Sequence, residues 1–123
     1  MASAEPSATT PPPDPRIAME KSEFLRLADE CFERVTAWLE GFDPDEVDFA
    51  TADGVVTIEF PDGVRYVLNR QTAADQMWFA AGARAWHYDR SDSGEWLCDK
   101  DGHELFGRIS EALSEKLGRS VQV

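Results

Sequence analysis

The sequence predicts an α+β fold: a two-layer α/β sandwich in which an antiparallel sheet of about six strands carries N- and C-terminal helices packed on one face. Three observations predict it. Apolar residues recur at helical spacing near both ends of the chain, apolar and polar residues alternate through its middle, and Asp-Gly or Ser-Gly pairs interrupt that alternation.

The first helix reads from Ser22 through SEFLRLADECFERVTAWLEGF. Ser22 supplies an oxygen for an N-cap, and Glu23 and Asp29 lie in the N-terminal half, where the helix dipole favours acids. At about 100° per residue, Phe24, Leu27, Ala28, Cys31, Val35, Trp38 and Leu39 gather on one side, while Glu23, Asp29, Glu30, Glu33 and Glu40 gather on another. The helix thus has an oily stripe and an acidic stripe. Ahead of it, residues 1–21 are proline-rich and lack a periodic apolar pattern. They are expected to form a disordered or polyproline-like tail, with residues 22–123 as the folded domain.

Strands are expected near 47–52, 55–60, 64–69, 75–81, 85–89 and 95–98. Turns at Asp53-Gly54, Asp62-Gly63 and Ser93-Gly94 join them into an antiparallel meander. After Asp101-Gly102, the stretch HELFGRISEALSEKLG repeats Leu105, Phe106, Ile109, Ala112, Leu113 and Leu117 at helical spacing. Gly118 supplies a stop for this second helix.

Alternation sorts the two sheet faces. Val56, Ile58 and Phe60 belong to the core, as do Val64, Tyr66 and Leu68, and Met77, Phe79 and Ala81. The opposite parity puts Asn69, Gln71, Gln76 and Trp78 on the uncovered face. Trp78 there is either a filler lying flat across neighbouring strands or an anchor for another protein, with the amides supplying adaptable hydrogen bonds.

Charge narrows the partners. The 123 residues hold 24 acids against 12 lysines and arginines, a net charge of −12. Nucleic acid is disfavoured, because cationic residues drive that binding; a basic protein or a hard cation fits better. No stretch is long and apolar enough to span a bilayer, and no secretory or mitochondrial leader pattern is seen. Two isolated cysteines fit the reducing cytoplasm.

Between Ser22 and Asp53 stand ten acids and two bases, Arg26 and Arg34. Like charges at this density repel. The acids run from the helix into FDPDEVDF, where Asp48 points outward between Val47 and Phe49, so helix and edge strand share one negative ridge. A solvated face is the bland reading. The alternative is weak, partly hydrated binding of a hard or borderline cation such as iron or manganese, which carboxylates without His or Cys favour. No catalytic constellation assembles: His87 and His103 lie on different elements, and no phosphate loop or nucleophile motif is present. Cys31 reads as a core residue and Cys98 as a buried strand-end thiol.

The stretches SEFLRLAD, GVVTIEF followed by DG, NRQTAADQMWFA, HYD and GEWLCDKDGHELF, taken in this order, resemble the frataxin family, and in particular its bacterial CyaY branch. The resemblance covers about residues 22–123, and N-R-Q with Q-x-W downstream is its most diagnostic piece. It implies weakly bound iron on the ridge, which by position falls on Glu33, Glu40, Asp43, Asp45, Glu46 and Asp48, with Asp29 and Glu30 near it. It also implies docking on a cysteine desulfurase and iron-sulfur scaffold through Asn69, Gln71 and Trp78. The implied role is regulation of cluster assembly without catalysis, by a protein that is mainly a monomer, with iron-dependent oligomers also open. Ferroxidase-like iron storage or donation, or an acidic binding module without metal, are the alternatives. Ala37 and Gly41 stand where many bacterial relatives carry an acid, and Leu25 where some carry a histidine.

Overall fold

Helix α1 runs from Pro15 to Leu39 in the structure of the protein, a computed structural model that describes residues 15–123. It therefore starts seven residues before Ser22, and residues 15–21 of the expected tail are helical; residues 1–14 lie outside the described residues. Proline is accepted at a first helical position because its missing N–H would have no partner there. Residues 16–21 contain no glycine or further proline to stop the helix. Lys21 then ties the helix to the sheet, donating to the Thr72 carbonyl at 2.9 Å and to Asp75 Oδ1 at 2.5 Å.

Six strands follow: β1 (Asp48–Ala52), β2 (Val55–Glu59), β3 (Arg65–Gln71), β4 (Gln76–Ala81), β5 (Arg84–Arg90) and β6 (Trp96–Cys98). They form one sheet in the order β1-β2-β3-β4-β5-β6, every neighbour antiparallel. This is the expected meander. A short 3-10 turn at Thr72–Ala74 joins β3 to β4, closed by Asp75 in the left-handed region at φ 54°.

Helix α2 (Leu105–Leu117) is capped at both ends. The Glu104 carboxylate accepts the N–H groups of Phe106 and Gly107, each at 3.0 Å. Gly118, at φ 71°, donates to the Ser114 carbonyl. Beyond it the chain folds back along the helix, with Val121 N–H donating to Ser114 Oγ and Val123 N–H to Ser110 Oγ.

Both helices cover one face. Phe24, Ala28, Cys31, Val35 and Leu39 of α1 and Leu105, Ile109, Ala112 and Leu113 of α2 are buried together with Val56, Ile58, Leu68, Met77, Phe79, Tyr88 and Trp96 of the sheet. Each large apolar side chain sealed there contributes about 1.5–3 kcal/mol. The parity of these strand residues is the one expected for the core, which leaves Asn69, Gln71, Gln76 and Trp78 on the face away from the helices.

Candidate metal ridge and docking face

The acidic residues fall along one edge. Asp29, Glu30 and Glu33 are on α1, Glu40, Asp43, Asp45 and Glu46 are in the loop after it, and Asp48 opens β1. Helix α1 lies against β1, so the acids of the helix end, the loop and the strand share that edge.

They are not electrostatically alike. Glu30 is 2.5 Å from Arg26, which also holds Glu23. Asp29 is 3.7 Å from Arg70. Glu46 receives both Arg119 guanidinium nitrogens, and that hydrogen bond holds its carboxyl below the ordinary glutamate value. Glu33, Glu40, Asp43, Asp45 and Asp48 are exposed and form no ion pair among the described residues. Asp43 accepts the Asp45 N–H and Asp48 the Phe49 N–H, each through one oxygen at 2.9 Å. A second oxygen remains on each. The single negative ridge expected from the sequence is thus divided into a paired part and an unpaired part.

The donor set of the unpaired part is oxygen alone, held in water. It suits a hydrated hard or borderline cation with few protein ligands, since among the described residues no three of these carboxylates lie close enough to share one ion.

The uncovered sheet face is ordered by cross-strand pairing. Asn69 stands opposite Trp78, and Trp78 opposite His87; in the adjacent row Gln71 faces Gln76, and Gln76 faces Asp89. The Trp78 indole N–H donates to Gln76 Oε1 at 2.9 Å. Gln76 Nε2 in turn donates to Asp89 at 3.1 Å and to Asp99 at 3.3 Å. The Trp78 and His87 rings are stacked. Asn69, Gln71 and Trp78 are all half-buried, so the indole is braced by its neighbours and still reachable.

Sequence reasoning missed three contributors. His87 had a signal, since Tyr88 is a core residue and its neighbour must face outward. Arg70 had one too: it shares parity with Leu68, which aims it at the helix side, between Asp29 and Asp53. Arg119 had none, because its partner Glu46 is distant in the chain.

Among the described residues no helix is long and apolar enough to cross a membrane. The sequence model of the frataxin-like domain matches residues 17–119. Among solved structures, the chain is similar to frataxin from Psychromonas ingrahamii, of the CyaY protein family, with 28% identity and a TM-score of 0.75, over 83% of this chain and 95% of that one. It is similar to a yeast frataxin at 23% identity and a TM-score of 0.69, over 92% and 97% of the two chains. A trimeric frataxin from the yeast Saccharomyces cerevisiae, complexed with ferrous, matches at 22% identity and a TM-score of 0.56, over 92% and 94%.

Proposed function

The chain belongs to the frataxin-like domain family, and from that premise we propose that it is a non-enzymatic, iron-binding regulator of iron-sulfur cluster assembly. It holds iron weakly on the acidic ridge and docks on a cysteine desulfurase and its scaffold. One observation carries this reading: Glu33, Glu40, Asp43, Asp45 and Asp48 are kept exposed and without ion pairs among the described residues, on one edge of the fold. Such crowding costs stability through repulsion, and a cation or a basic partner would relieve it.

The uncovered face supports the docking half. Trp and amide side chains supply binding energy and adaptable hydrogen bonds at interfaces, and Trp78 is presented by a rigid central strand. Contact with a basic desulfurase would be steered by charge and weakened by salt. The cysteines Cys31 and Cys98 are both free, which fits a cytoplasmic setting.

Reconstituted cluster synthesis, run with and without the protein over a range of iron concentrations, tests the reading. The synthesis rate should change with the protein present, and by an amount that depends on iron. A rate indifferent to the protein at every iron concentration would overturn it. Saturable oxygen consumption driven by ferrous iron and the protein alone would favour a ferroxidase instead.

A further inference from the structure

The end of β6 and the loop that joins it to α2 carry three metal-ligating side chains in the stretch Cys-Asp-Lys-Asp-Gly-His. The Cys98 sulfur, an Asp101 carboxylate oxygen and a His103 imidazole nitrogen all lie within 4.8 Å of one another. Backbone hydrogen bonds fix the loop. Cys98 N–H donates to the His103 carbonyl at 2.8 Å, Gly102 N–H to the Cys98 carbonyl at 3.0 Å, and His103 N–H to Asp101 Oδ1 at 3.1 Å. Gly102, at φ 77°, lets the chain reverse there. The fold has therefore already ordered three donors that a flexible chain would have to gather.

We infer that Cys98, Asp101 and His103 bind a divalent transition-metal ion of the zinc kind, with water completing a tetrahedral shell. One thiolate, one imidazole and one carboxylate are a borderline-soft set, preferring zinc, cobalt or ferrous ions to magnesium or calcium. With bonds of about 2.0–2.3 Å, tetrahedral ligand atoms lie roughly 3.2–3.7 Å apart. Nδ1 of His103 and Oδ1 of Asp101, now 2.5 Å apart, must separate to reach that spacing, within a group whose ligand atoms already lie inside 4.8 Å of one another. Asp101 is exposed and can turn, giving up the His103 N–H as it does; Cys98 and His103, joined by the Cys98 N–H to His103 carbonyl bond, are the fixed points.

The surroundings supply an outer partner as well. Nε2 of His103 is 2.7 Å from the Tyr88 hydroxyl. Without metal, Nδ1–H donates to Asp101 and Nε2 accepts from Tyr88. With metal on Nδ1, Nε2–H donates to the Tyr88 oxygen, the outer-shell arrangement that orients ligating histidines. Arg108 Nε, which can only donate and stands 3.4 Å from Nε2, then relaxes toward Glu111, already its partner. The proton balance is one released per ion. The thiol proton leaves for solvent, while the imidazole loses one proton at Nδ1 and gains one at Nε2.

This site is independent of the ridge. It adjoins β6, at the opposite end of the strand order from β1, and its donors differ in kind. Cobalt titration of the full chain tests it. One equivalent should bind with a thiolate-to-cobalt charge-transfer band and the visible bands of tetrahedral cobalt, and zinc should bleach both. Excess magnesium, and the ridge variant Glu33→Gln/Glu40→Gln/Asp43→Asn, should leave the bands unchanged, which separates this site from the proposed iron ridge.

Because Cys98 is buried and Cys98→Ser puts folding at risk, the decisive variants are Asp101→Ala and His103→Ala. Each should weaken cobalt binding by more than the roughly 10–100-fold that loss of an outer-shell partner costs. No thiolate band at excess cobalt, or bands unaltered in both variants, would overturn the inference.

Discussion

The Trp78 indole lies parallel to the His87 imidazole on the next strand, ring centroids 4.1 Å apart and planes inclined by 15°. One ring is thereby held in place beside the amides of Asn69 and Gln76. Trp78→Ala should cost about 1 kcal/mol of folding stability, the worth of an aromatic pair only partly removed from water. Desulfurase binding should fall at least tenfold, about 1.4 kcal/mol or more. Trp78→Phe keeps the stack and loses only the N–H bond to Gln76, so its binding should lie between the two. Thermal denaturation read beside titration calorimetry checks this; equal binding by wild type and Trp78→Ala would remove the docking role.

Neutralising the unpaired acids should stabilise the fold. In Glu33→Gln/Glu40→Gln/Asp43→Asn no ion pair among the described residues is lost, and the amide that replaces the Asp43 carboxylate would keep an oxygen for the Asp45 N–H. The expected gain is about 1 kcal/mol, a rise in Tm of roughly 4 °C at low ionic strength, shrinking as salt is added. A lower Tm would mean that these carboxylates have partners that matter to folding.

Two Asp-Gly turns provide an internal control. Gly54 and Gly63 have φ of 74° and 87°, but a Cβ at Gly54 would meet the Arg70 guanidinium at 3.2 Å, while one at Gly63 meets nothing within 4 Å. Gly63→Ala should cost about 1 kcal/mol, the penalty for a left-handed residue with a side chain. Gly54→Ala should cost about twice that, because Arg70 is also pushed from Asp29 and Asp53. Urea denaturation of both variants gives the comparison, and equal midpoints would show that Arg70 yields freely.

Acid stability should carry the mark of two long-range pairs. The Asp62 carboxyl is held below the ordinary aspartate value, first by its hydrogen bond from Lys116 and then by the Val64 N–H; Glu46 is held down by Arg119. A carboxyl with a depressed folded-state pKa stabilises above its unfolded value, about 3.9 for Asp and 4.3 for Glu, and that stability is lost as pH falls through the folded value. The double variant Asp62→Asn/Glu46→Gln should therefore be less stable near neutrality and lose stability less steeply below about pH 4. Denaturation midpoints across the acid range decide it; parallel curves for the two proteins would exclude the linkage.

The strands, the second helix and the faces of the sheet were legible because their signals are local. Asp53-Gly54 and Asp62-Gly63 mark turns wherever they occur, and period-two alternation put Trp78 on the open face without reference to any other strand. The start of α1 was not legible, since Pro15 ends a proline-rich run that reads as coil, although the same ring suits a first helical turn. The division of the ridge was hidden for another reason. Glu46 and Arg119, or Asp29 and Arg70, meet only after the layers pack, and no spacing in the chain announces it. The Cys98, Asp101 and His103 grouping lay between these cases: its donors are close in sequence, but only the reversal at Gly102 turns them toward one point.

Strand order that follows chain order has a kinetic meaning. Every pairing in the sheet closes a short loop between consecutive segments, so the entropy lost in bringing strands together is small and can be met one hairpin at a time. Only the packing of α1 and α2 on the sheet joins distant parts of the polypeptide. For a β-rich protein the topology is local, which places its refolding toward the faster end for sheets of this size.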